Sequence, residues 1–66
     1  MFRAEVRDGY VWLIDTSTGA EQNFYSPEAG RVQNAQVTGD DEVTIETDMY
    51  GGPSSIAYRI STGMRA

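Results

Sequence analysis

The chain has 66 residues with ten acidic and five basic side chains, a formal charge of −5. That length allows one small β domain over 1–66 with a core near the lower size limit. Cysteine, histidine and lysine are absent, and the cations are Arg3, Arg7, Arg31, Arg59 and Arg65, which excludes disulfides, thiolate and imidazole chemistry and Schiff-base catalysis and disfavours a phosphate-backbone partner.

Strand signals dominate from the start. In FRAEVR, Phe2, Ala4 and Val6 alternate with Arg3, Glu5 and Arg7, the period of a half-buried strand. Asp8-Gly9 follows, the dipeptide of a type I′ hairpin turn, and YVWLID returns with aromatic and β-branched residues. A two-residue loop sets Arg7 opposite Tyr10, Val6 opposite Val11, Glu5 opposite Trp12 and Ala4 opposite Leu13. Phe2, Ala4, Val6, Val11 and Leu13 then share the core face. Tyr10, Trp12 and Ile14 share the opposite face with the charges, so two adjacent faces of one strand are both apolar.

TSTG at 16–19 reads as a turn, and AEQNFY as a third strand with Phe24 on the core side and Tyr25 beside Tyr10. A slip of one residue would exchange those two. Ser26, Pro27 and Glu28 have helix-start chemistry, but Gly30 interrupts. A short turn at 26–30 followed by a strand is the preferred reading. The alternative is an α+β chain with one short helix around 27–38. As a strand, this segment puts Ala35 and Val37 on one face and Val32 on the other.

GDDE at 39–42 is a turn, and VTIETD alternates Val43, Ile45 and Thr47 against Thr44, Glu46 and Asp48. MYGGPS is a glycine-proline loop, and Ile56, Tyr58 and Ile60 then alternate with Ala57, Arg59 and Ser61. The expected class is all-β: a small antiparallel sheet of five to six short strands joined by hairpins. One such sheet buries one face against very little, so something must cover it.

Ser17-Thr18-Gly19 is echoed by Ser61-Thr62-Gly63, with the two glycines 44 residues apart. The stretch from Gly30 to Gly63 has a first strand, a Gly/Asp turn, an inner strand, and a third strand running into Thr-Gly. In this it resembles a WD-repeat or related β-propeller blade. The resemblance covers about one and a half blades and implies blade-like topology. Gly-His and a strand-ending Trp-Asp are missing, and the offset aligns Ile56 and Tyr58 with Trp12 and Ile14 rather than with Val11 and Leu13. The simpler reading is two hairpins reusing one turn.

Asp15, Ser17 and Gly19 have the spacing of the start of a calcium loop, but the later bidentate glutamate is missing, so no metal and no cofactor is expected. Asp40, Asp41 and Glu42 form the densest acidic cluster, read first as a solvated turn. Hydroxyls have no histidine or lysine to activate them, so the chain is expected not to be an enzyme. The best functional candidates are aromatic. Tyr10, Trp12, Ile14, Tyr25 and Tyr58 form a candidate interface for self-association or a protein partner. One alternative is an acidic inhibitor or anti-defence protein that presents Asp40, Asp41, Glu42, Glu46 and Asp48 to a basic partner surface. Another is an oligomeric sugar-binding module stacking on Trp12. No signal peptide or membrane span is apparent, and the composition suits a cytoplasmic accessory protein of a bacterial or phage genome.

Overall fold

Strands β1 (Phe2–Arg7) and β2 (Tyr10–Asp15) meet in the expected register, with Arg7 opposite Tyr10 and Glu5 opposite Trp12 in the computed structural model. The structure describes residues 1–24, 30–49 and 52–66. At the turn Asp8 and Gly9 have φ of 54° and 82°, the left-handed pair that Asp-Gly favours. β3 (Glu21–Phe24) pairs with β2 so that Phe24 faces Val11 and Asn23 faces Trp12. β4 (Val32–Gly39), β5 (Glu42–Met49) and β6 (Gly52–Arg59) make a second antiparallel sheet. The described residues are thus all-β, in two three-stranded sheets ordered β1-β2-β3 and β4-β5-β6.

The two sheets cover each other. Val11, Leu13 and Phe24 from the first and Val32, Ala35, Val43, Ile45 and Tyr58 from the second form one buried cluster, with Phe2, Ala4, Val6, Val37, Ile56 and Ile60 at its margin. Phe24 and Tyr58 meet edge to face across it, ring centroids 6.2 Å apart at 65°. One joint is a backbone clasp, in which Gly9 O accepts from Gly30 N at 2.9 Å and from Val32 N at 3.1 Å. The cover that a lone sheet lacks is supplied by the second sheet.

Two details differ from the sequence expectation. Residues 32–39 are strand, as preferred over a helix, yet Val32 joins Ala35 and Val37 on the core side. The cause is an irregularity between Val32 and Asn34, where Val32 faces Thr47 and Asn34 faces Glu46. An extra residue inverts the side-chain phase, as a β-bulge does. The loop expected at 49–54 is shorter, since β6 begins at Gly52 with Pro53 opposite Asp48. β6 lies at the end of the sheet order, where proline's missing N–H is tolerated. The expected turn at 26–30 lies outside the described residues, except for Gly30.

The echoed Ser-Thr-Gly segments are built from the same bonds. Asp15 N donates to Ala20 O at 2.8 Å, and Arg59 N to Met64 O at 2.7 Å. Gly19 N reaches Asp15 O at 2.7 Å, and Gly63 N reaches Arg59 O at 2.8 Å. Thr18 Oγ1 accepts from Ala20 N at 3.2 Å and Thr62 Oγ1 from Met64 N at 3.3 Å. Both glycines have positive φ, 78° and 74°. The likeness extends outward: Thr16 N bonds Met1 O, and Ile60 N bonds Asp41 O, each at 3.0 Å. Arg65 bridges to Tyr58 as Glu21 pairs with Ile14.

Candidate functional site

On the first sheet's outer face, register alone fixes the neighbours of Trp12: Glu5 on β1 and Asn23 on β3, with Tyr10 and Ile14 two residues away along β2. Arg7 closes over this group. Its Nε and Nη2 donate to Glu5 Oε1 and Oε2, both at 3.2 Å. Nη1 and Nη2 donate to Glu21 Oε1 and Oε2 at 3.0 and 2.8 Å. The guanidinium carbon lies 5.4 Å from the Trp12 ring centroid, within cation–π range. One planar cation therefore binds two carboxylates bidentately and caps the indole, a role lysine's point charge could not fill.

The charges respond to this arrangement. The hydrogen bonds from Arg7 hold the Glu21 carboxyl below its ordinary value, and those same bonds, Glu21's foremost, push the guanidinium above its own. These groups are partly exposed, so the bridge orders the face more than it stabilises the fold. Asn23 Nδ2 donates to Val11 O at 3.3 Å, which ties the third strand's side chain down beside the indole.

The predicted interface residues do not all come together. Tyr10 is 45% exposed, Trp12 is half-buried, and Ile14, on the same face, is 7% exposed. Tyr58 is 4% exposed and sits in the core against Phe24, away from Trp12. Tyr25 lies outside the described residues.

The acidic residues also divide. Asp41 is used internally, its carboxylate accepting from Ser61 N at 2.8 Å and Ser61 Oγ at 2.6 Å. Glu42 accepts from Thr38 Oγ1 at 2.8 Å. Glu46 and Asp48 are exposed on the same outer face of β5 as Glu42. Asp40 lies in the β4–β5 turn and, with Met1, Phe2, Val37 and Gly39, lines an open groove of about 580 Å³. Among the described residues, no group of three or more carboxylates is placed to hold a metal ion. The Asp15 carboxylate is drawn into its own turn, where the Ser17 N–H lowers its pKa.

No family model, no curated protein and no solved structure matches the chain. The site is therefore read from its own chemistry. The residues that sequence reasoning did not single out are Arg7, Glu5, Glu21 and Asn23. The signal for Glu5 was already in the hairpin register. Glu21 and Asn23 needed the β2–β3 register as well. Among the described residues, no helix is long and apolar enough to cross a membrane.

Proposed function

We propose that this chain is a non-enzymatic, cytoplasmic binding module that self-associates through the outer face of its β1–β2–β3 sheet. The observation that carries the reading is the side of β2 turned away from the core: Tyr10, Trp12 and Ile14 follow one another along it, framed by Arg3, Arg7, Glu5 and Glu21. Aromatic rings with an ordered arginine are the composition of interface centres, and the salt-bridged rim fixes them before contact. The module has no histidine, lysine or cysteine to support nucleophilic or acid–base catalysis, and its charge of −5 does not suit nucleic acid.

Sedimentation of the wild type beside Tyr10→Ser and Trp12→Ser tests this. Concentration-dependent association is expected for the wild type and a single-chain mass for both variants. A wild type that stays monomeric at every concentration reached refutes the proposal.

A second reading, an acidic surface that occupies a basic partner, draws on the row Glu42, Glu46 and Asp48 along β5. It predicts salt-sensitive binding to basic protein surfaces. Sugar stacking on Trp12 has less support, since Arg7 already lies over the indole ring.

A further inference from the structure

The repeated turn defines two equivalent three-element units whose faces can be compared residue by residue. Arg3 pairs with Ile14 as Val43 pairs with Tyr58, and Glu5 pairs with Trp12 as Ile45 pairs with Ile56. The outer face of the first unit, with Tyr10, Trp12 and Ile14, therefore corresponds to the face that the second unit buries with Ile56 and Tyr58. The converse also holds. The first unit's buried face, with Val11 and Leu13, corresponds to the second unit's outer face, with Ser55 and Ala57.

Within one chain the two units thus stack unlike face on unlike face. This leaves one face of each kind unused. The unused faces are the aromatic one of β1–β3 and the acidic one of β4–β6. Arg3, Glu5, Arg7 and Glu21 lie on the first, where Arg7 is already bound to both carboxylates. Arg3 is therefore the cation this face leaves to meet Glu46 and Asp48 of the second, on which Glu42 has Arg59 opposite it. Among the described residues Arg3 forms no ion pair, while Glu46 and Asp48 are exposed.

We infer that a second copy of this chain covers each face, head to tail: the Tyr10–Trp12–Ile14 face of one copy stacks on the Glu46–Ser55–Ala57 face of the next. The inference rests on the self-association proposed above and adds its geometry. The contact repeats between chains the stacking already present within the chain, as neighbouring units do in repeat proteins. Such an interface is heterologous, so it propagates until the rotation closes a ring, whereas the aromatic face packed on its own copy would stop at a dimer.

Complementation between two variants separates these arrangements. Tyr10→Asp disables the aromatic face, with Arg3→Glu as a second variant of it. Glu46→Arg combined with Ser55→Arg disables the acidic face. All these positions are exposed, and circular dichroism with a thermal melt verifies that each variant folds. Head-to-tail stacking predicts that each variant alone sediments as a single chain. An equimolar mixture of the two should then form a 1:1 dimer, because one intact face of each kind remains. Self-association by the Glu46→Arg/Ser55→Arg variant would overturn the inference while leaving association through the aromatic face intact. Variants that stay monomeric after mixing would also overturn it. A wild type that never associates would remove both the inference and the proposal beneath it.

Discussion

Replacing Gly9 by alanine tests the joint between the sheets. Gly9 has φ of +82°, and a Cβ built on it would stand 2.4 Å from Gly30 O and 2.5 Å from Gly30 C. Left-handed backbone costs an alanine about 1–2 kcal/mol. The collision is with backbone, so Gly30 must move, and the two hydrogen bonds that Gly9 O accepts from Gly30 N and Val32 N go with it. At about 1 kcal/mol net for each bond, the total reaches about 3–4 kcal/mol. A domain of this size has about 3–10 kcal/mol of stability in all, so Gly9→Ala removes a large part of it. Gly19→Ala is the control. Its φ is +78°, but a Cβ there meets nothing within 4 Å, so only the backbone cost of about 1–2 kcal/mol applies. Urea unfolding, with unchanged m-values as the check on two-state behaviour, reads both differences. Equal midpoints for the two variants would refute the clasp.

Leu13 is fully buried between the sheets, and Leu13→Ala should cost about 2–5 kcal/mol; a urea midpoint close to wild type would contradict the shared core. Arg7→Gln removes the cation over Trp12 and both bidentate contacts, so indole fluorescence should shift to the red with little loss of thermal stability; an unmoved spectrum would argue against the cap. Glu21 and Asp15 are held below their ordinary carboxyl values, 4.5 and 3.8. Their contribution to stability is therefore full above that range and fades as pH falls through the lowered native values. Thermal midpoints followed into acid should show this decline, and Glu21→Gln should flatten it; an acid limb unaffected by that substitution would remove Glu21 from the account.

How much of this was legible depended on whether local chemistry or distant pairing decided the outcome. Asp8-Gly9 prescribes its own turn, and that turn fixes six opposed pairs, so β1 and β2 could be read with their register and both faces. β5 was legible because its alternation is unbroken, with Val43, Ile45 and Thr47 buried. β4 was not. One extra residue near Gln33 places Val32 and Ala35 on the same side, and no period-two pattern signals a bulge. Tyr58 could be assigned an alternation but not a depth, because the choice between core and surface lay with a sheet elsewhere in the sequence. Arg7 was visible as a cation beside aromatics. Its second carboxylate, Glu21, reaches it only through β3 pairing.

The phase mismatch between the repeated segments carries more meaning in the structure than in the sequence. The alignment of Ile56 and Tyr58 with Trp12 and Ile14 counts against a repeat if every unit must bury the same face. Two units stacked face to face cannot bury the same face unless they are related by a two-fold axis. If they follow one another by a rotation instead, one buries its front and the other its back, and a mismatch is required. The accessible surface of 4357 Å² is roughly two-fifths of what the extended chain exposes, so the core is as thin as 66 residues allow. Selection for that core alone gives no reason to keep an exposed tyrosine and a half-buried tryptophan on the outer side of β2. An unused front face beside a complementary unused back face gives one, because a further unit stacked by the same rotation buries both.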